Sequence, residues 1–472
     1  MEKLHQKAAF IFRRDLRLED NLGLLAALSK AIEVVPVFIL DPRQIDATQN
    51  DYFSPAAFHF MVGALRELDT ALQARGSQLY VCGGDPAEVV ESLLTNDGVE
   101  AVFVNKDYTP FAHTRDKAIA DVCEAHQVAF TRHEDVTLSP IESIRTGESK
   151  FYSVFTPFMK KAVTYAVPSP QKNNFSNYWT RSLNTDTVDL YSITTHPLPM
   201  QRLHGGRTEA LKLLTADTYL SKYKQQRDLP AVHGTSQLSA HHKFGTLSIR
   251  ETYHHAVAHA GAHSQFITEL YWRDFYYYIA YHFPLIFKHS FLPFAQYLAW
   301  QNDEAQFKAW SDGRTGVPLV DAGMRQLNAT GWMHNRVRMV VASYLTKNLL
   351  IDWRWGERYF AQRLVDYDPA QNNGGWQWSA STGADPRPLR IFNPYTQATK
   401  YDPTATYIKQ WVPELANIQS ETLTDGKTQD LSTLAPNYPA PLVDQKDSYR
   451  RAMAAYKAAK QQLQTNKTGT DT

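Results

Sequence analysis

Residues 8–18, Ala-Ala-Phe-Ile-Phe-Arg-Arg-Asp-Leu-Arg-Leu, decide the fold: a short apolar run at 8–12 meets Arg13-Arg14-Asp15 at once. An apolar run that short, closed by charge, reads as a buried strand and neither a leader peptide nor a membrane span. Further short apolar runs follow at 33–40, 78–81 and 101–104, with a weaker fifth at 128–131. Helical patterns lie between them, at 21–30 behind Asp20 as a cap, and at 58–75 behind Ser54-Pro55 and ahead of Gly76. Strands alternating with helices predict right-handed βαβ units and a doubly wound parallel sheet of Rossmann-like type. No Gly-x-Gly-x-x-Gly follows the first strand, so a standard dinucleotide site is not indicated.

Beyond residue 131 the pattern changes twice. From 132 to 204 it is broken by Pro140, Pro157, Pro168, Pro170, Pro197 and Pro199, which predicts a surface connector. From 205 to 472 strand signals fade, and helical spacing recurs at 208–223, 264–282, 316–330, 334–349, 356–365 and 448–464. The expected fold is therefore an α/β domain over 1–131, a connector, and an all-α domain over 205–472. At 472 residues, two domains are the natural expectation, and an apolar share of 43% supports real cores. Two cysteines, Cys82 and Cys123, exclude a disulfide framework and a Cys-rich metal site, so no metal is expected. A net charge of +1 means that nucleic acid could be held only by cations gathered on one face. With no apolar run long enough for a bilayer, a cytoplasmic monomer is the default expectation.

Three stretches carry chemistry. On a helix, Glu269, Trp272, Arg273 and Tyr276 share one face, for which an interface helix with a Glu269–Arg273 pair is the structural alternative. In 331–339, Asn335 and Met339 face together, and the cations Arg325, Arg336, Arg338, Lys347, Arg354, Arg358 and Arg363 suggest a phosphate-binding face. The stretch 366–378 packs two carboxylates, two amides, two glycines and two indoles into thirteen positions, which reads as a polar turn against a flat ligand and not as a helix or strand.

The segments FRRDLRL (12–18), TSQLS (235–239), WRDFY (272–276), GWMHNR (331–336), NNGGWQW (372–378) and IFNP (391–394) resemble the photolyase/cryptochrome family, nearest to the class I cyclobutane pyrimidine dimer photolyases. That resemblance implies FAD in the helical half and light-driven electron transfer from reduced FAD to a dimer flipped out of UV-damaged DNA. It implies FAD contacts from Tyr223, Thr235, Ser236, Gln237, Leu238, Ser239, Phe266, Tyr367 and Asp368, an Arg338–Asp366 pair beside the flavin, and Asn372 near flavin N5. Glu269, Trp272, Asn335, Met339 and Trp378 would meet the dimer, with Glu269 as a protonated donor. Arg227, Arg273, Tyr276, Arg336 and Gln397 would meet DNA, and Trp300, Trp353 and Trp376 would relay electrons, with Trp310 and Trp355 nearby. A second, antenna chromophore of deazaflavin, flavin or folate type would lie near Asp107 and Lys243. Phe111-Ala112 stands where folate-binding relatives carry Asn-Glu. The alternatives are a light-sensing cryptochrome of the same fold and a photolyase for another lesion; His334-Asn335 in place of His-His speaks against the (6-4) lesion.

Overall fold

A computed structural model describes residues 3–468 apart from 217, 387–388 and 429. Five strands, β1 (His5–Phe12), β2 (Ala31–Leu40), β3 (Tyr80–Gly83), β4 (Ala101–Asn105) and β5 (Ala129–His133), form a parallel sheet of order β3-β2-β1-β4-β5. The expected doubly wound sheet is present, with all five anticipated strands. Phe10, Val35 and Val102 are fully buried because helices cover both faces, which is why the strands read as unbroken apolar runs instead of alternating ones. Winding reverses between β1 and β4, so the sheet has a crevice at their C-terminal ends.

The helices that start at this edge have similar openings. Pro55–Gln73, Pro86–Asp97 and Pro110–Ala125 each begin with proline, which loses no hydrogen bond there, behind a capping Ser54, Asp85 or Thr109. The cap of Leu22–Lys30 is Asn21 and not Asp20. Asp20 instead adopts φ 48° and turns its carboxylate to Arg250 at 3.0 Å. There it joins Arg17 and Asp135, paired at 2.7 Å, in a buried network that ties the sheet to the helical half.

The segment expected as a surface connector is partly interior. Tyr178 bridges to Val34 below the end of β3 and is 2% exposed. The helix Phe155–Ala162 buries Phe155 and Phe158 against the helical half. Apolar residues in a proline-broken stretch still bury when another element offers a face, which local periodicity cannot report.

Four helices frame the site: α1 (Gln265–His282), α2 (Asn335–Ser343), α3 (Trp353–Arg363) and α4 (Pro369–Ser379). Ser264 caps α1 and His334 caps α2, which runs into a π-turn at Tyr344–Asn348 in place of one long helix. The stretch anticipated over 208–223 is two helices, Arg207–Thr215 and Thr218–Gln226. The largest correction is α4, because the stretch expected to be non-helical is a helix from 369 onward. Asp368 caps it by accepting from Gln371 N at 3.0 Å, and Pro369 opens it. Its glycines serve packing. A Cβ on Gly374 would stand 2.1 Å from the Tyr276 ring, so only glycine lets α4 lie this close to α1.

Candidate functional site

The wall built by α2, α3 and α4 is polar, with Asp366 and Glu357 buried and Arg338 and Asn372 half-buried. Arg338 donates to Met333 O at 2.8 Å and to Asp366 Oδ2 at 2.9 Å. The other oxygen of that carboxylate, Asp366 Oδ1, is buried and has no protein donor. Asn372 Nδ2 donates to the backbone and side-chain oxygens of Glu357, each at 2.9 Å, so its amide is held in one orientation. Burial pushes the Glu357 carboxyl up to about 7, against the lowering effect of its bonds with Asn372 and Tyr52. Glu357 was not singled out in the sequence; it lies on α3, fifteen positions before its partner.

Trp272 lies flat on Phe155, centroids 3.7 Å apart and planes at 9°, which occupies one face of the indole. Trp272 is one turn before Tyr276 on α1, and Trp378 is one turn after Gly374 on α4, so the close Tyr276–Gly374 contact lies between them. Trp378 is half-buried beside a small cleft with Lys347, Ser381 and Asp385. Asn335 is exposed and Met339 half-buried on α2.

The charged candidates are more engaged than their spacing implied. Glu269 pairs with Arg227 and accepts from Gln265 at 2.7 Å; Arg273 is not its partner. Both contacts fall on Glu269 Oε1 as an acceptor, which leaves Oε2 as the oxygen for the expected donor role. Arg273 turns inward, donating to Val136 O at 2.6 Å and lying over the Tyr277 ring. Arg336 pairs with Asp228 at 2.8 Å and covers Tyr401. Gln397 is half-buried on the helix Pro394–Tyr401, its Oε1 without a partner. The anticipated basic face is not formed: Arg325 pairs with Glu414, Arg354 with Asp352, and Arg363 lies over Tyr359. Lys347 is buried, its ammonium lowered to about 7 by desolvation. Helical rotation spreads a run of cations around the axis, and local acids take up most of them.

Among the remaining candidates, Tyr223 meets Phe266 edge-on at 5.1 Å. Residues 235–238 form a loop in which Gln237 has φ 54° and Leu238 is buried, and Ser239 opens the short helix Ser239–Phe244. Tyr367 stacks near Tyr52, centroids at 6.1 Å. Asp368 faces the sheet: it pairs with Arg14 and accepts from Tyr277. Burial alone would raise this carboxyl, but Arg14 and Lys243 hold it well below the usual carboxylate range. It is therefore committed to joining the two halves, a role that sequence spacing did not suggest. Trp376 is buried in ring contact with Phe360 at 4.9 Å and with Trp310 at 6.1 Å. Trp353 donates from Nε1 to Ser290 Oγ at 3.1 Å, and Trp300 is partly buried near the C-terminal helix Gln445–Thr468.

A separate cavity of about 490 Å³ opens at the sheet crevice. Asp107 and Lys243 both line it, as do Arg13, Arg14, Arg43, Arg115, Tyr52, Phe111, Glu357 and Tyr367. Asp107 pairs with Arg14 at 3.2 Å. Burial and Arg14 together lower the Lys243 ammonium to about 8. Among the described residues no cluster suits a metal ion, and no helix is long and apolar enough to cross a membrane.

The buried, donor-less Asp366 oxygen, the Arg338 guanidinium and the oriented Asn372 amide fit a planar ligand with polar edges, as FAD requires. Comparison with known proteins agrees. Residues 8–173 match DNA photolyase, and residues 266–458 match the FAD binding domain of DNA photolyase. A deoxyribodipyrimidine photo-lyase of Synechococcus sp. is 38% identical, with 96% of each chain covered. An archaeal photolyase from Sulfolobus tokodaii, described with two FAD molecules that imply a novel light-harvesting cofactor, superimposes with TM-score 0.86 at 41% identity, covering 96% of this chain and all of its own. A Synechocystis cryptochrome superimposes with TM-score 0.84 at 26% identity, covering 96% of this chain and 99% of its own.

Proposed function

Because the chain belongs to the DNA photolyase family, with FAD as the cofactor of its helical half, we propose that it repairs cyclobutane pyrimidine dimers in UV-damaged DNA under light. The observation that carries this reading is the amide at Asn372, oriented by Glu357 in the same wall as the Arg338–Asp366 pair. An amide can bond to a flavin edge without a proton that titrates near neutrality, and a guanidinium favours an anionic ring. Reduced FAD, when bound, supplies the photo-excited electron that opens the cyclobutane ring and receives it back.

The chain's own residues do the holding. Trp272, backed by Phe155, offers its other face to a flipped-out dimer, and Trp378 flanks it. Photolyases are a standard case of base flipping, and a damaged pair costs less to extrude than a sound one. Glu269, Asn335 and Met339 line the lesion's polar and apolar edges. Arg227, Arg273, Tyr276, Arg336 and Gln397 contact the strand, the arginines by exchanging carboxylate, carbonyl or ring partners for phosphate. Tyr223 and residues 235–239 hold the pyrophosphate and ribityl part, and Phe266 lies near the adenine. Trp376, Trp353 and Trp300 pass electrons inward. Residues 1–131 hold a second chromophore in the sheet crevice, 132–204 join the halves, and 205–472 hold FAD and DNA, in a cytoplasmic monomer.

The test is a thymine-dimer oligonucleotide assayed in blue light and in darkness, with Trp272→Ala and Glu269→Ala alongside. Light-only repair that both variants impair is expected; equal repair in the dark removes the proposal. Flavin photoreduction without strand repair would instead assign a light sensor.

A further inference from the structure

The turn that follows the helix Thr218–Gln226 places an acid between two of the arginines assigned to the strand. Asp228 Oδ1 accepts from Arg336 Nε at 3.2 Å and Nη2 at 2.8 Å, and stands 3.9 Å from Arg227 Nε. His334, close by, adds no charge, because burial lowers its imidazole to about 4. The Arg336 guanidinium lies over the Tyr401 ring, 4.4 Å from its centroid, which fixes its plane and leaves its edge as the side that can change partners.

Set beside Arg325–Glu414, this pair is loosely built. Arg325 grips Glu414 with two N–H groups on two oxygens, at 2.9 and 2.7 Å, the bidentate form that uses both partners fully. Arg336 brings Nε and Nη2 to a single oxygen, so its edge is satisfied less well than by two. A phosphate offers two oxygens to such an edge and can take both N–H groups in parallel. Asp228 is also the most exposed acid of these pairs, its side chain at 31% against 22% for Glu414 and 3% for Asp366. An arriving strand can therefore meet the pair from solvent.

We infer that Asp228 is an internal stand-in for a DNA phosphate: it holds Arg336 while no strand is bound and takes it back as a strand leaves. The inference rests on the proposed reading that Arg336 contacts the strand, and it adds a residue that works against that contact. Asp228 is a positioning residue that touches neither dimer nor flavin. The backbone part of DNA binding is independent of sequence and grows with each cation offered to phosphate. An acid that competes for one of those cations weakens this part. It shortens the stay of a strand that has lost its dimer, because such a strand is held by its backbone alone.

The test uses the full chain loaded with FAD and kept in dim light, with an undamaged oligonucleotide duplex as the probe, so that its outcome does not depend on repair. Asp228→Asn should bind the duplex about 3- to 10-fold more tightly, the scale of one partly exposed charge pair, with the gain in slower dissociation. Asp228→Glu, which restores the carboxylate, should cancel most of that gain. In an Arg336→Gln chain, Asp228→Asn should gain no more than about twofold, since the cation it would free is gone. Asp228→Ser repeats the measurement if the asparagine variant does not fold. No gain in a folded variant, or an equal gain without Arg336, would overturn the inference; the second result would make Asp228 a repelling charge and nothing more. The expected gain with no light-dependent repair of a dimer oligonucleotide sinks the photolyase reading alone; repair intact with no gain sinks this inference alone.

Discussion

The sheet crevice, a cavity of about 490 Å³, and the helical wall with its Arg338–Asp366 pair are built in opposite ways. At the crevice the backbone does most of the work: parallel strands separate at β1 and β4, and helix N-termini converge there because βαβ connections leave no other arrangement. Its Arg13 and Arg115 keep donors unused. At the wall, side chains on several helices and the turns between them do the work, and most charges already satisfy one another: Arg338 with Asp366, Arg227 with Glu269, Arg336 with Asp228. A cavity set by topology can leave donors without aligned partners, whereas a wall set by side chains pairs its own charges. Glu357 touches both, lining the crevice and holding Asn372.

The strongest way to break this contrast is to cut the joint between the two sites. Asp368→Asn leaves Arg14 buried without its main partner, and chemical denaturation should show a loss of about 3–5 kcal/mol at neutral pH. Because the Asp368 carboxyl is held below its unfolded value in the folded chain, its contribution is present above the ordinary aspartate range and fades as pH falls toward the folded value. A wild-type advantage over Asp368→Asn that grows on acidification would contradict the assignment.

Glu357 sharpens the contrast next. Its folded value is raised to about 7, so stability is greatest below the ordinary glutamate range and declines as pH rises through that value. Glu357→Gln should therefore gain on wild type between pH 5 and 8, by about 3 kcal/mol at the outside. Melting temperatures of the two proteins that stay parallel across this range would mean the carboxyl is not desolvated. Trp272→Ala removes one stacking surface and should weaken binding of dimer-containing DNA by about 10- to 100-fold, leaving undamaged DNA little changed. The smallest effect is expected from Arg336→Gln. If Arg336 exchanges Asp228 for a phosphate, the slope of log affinity against log salt should fall by about 1; an unchanged slope would keep it as an internal partner.

Much of the architecture could be read in advance because its signals are local. Five apolar runs gave five strands, and Ser54-Pro55 marked a helix start that the backbone confirms. The stretch 366–378 misled because composition suggested a turn, whereas Asp368-Pro369 is a helix opening and Gly374 answers a neighbour on another helix. Asp20 was passed over as a cap for Asn21 because Arg250 draws its carboxylate across the chain. Trp310, set beside the anticipated relay, is in ring contact with Trp376; sequence order does not report which indoles touch.

By itself the sequence determined the five strands, their parallel winding and the residue types available to a flavin and to DNA, since strand runs and motifs depend on near neighbours along the chain. Apart from Arg338–Asp366, which the resemblance already implied, which carboxylate meets which guanidinium was decided by tertiary structure. An ion pair such as Arg14–Asp368 joins residues 354 positions apart, and its partners are chosen by which helices pack together and how much water remains between them.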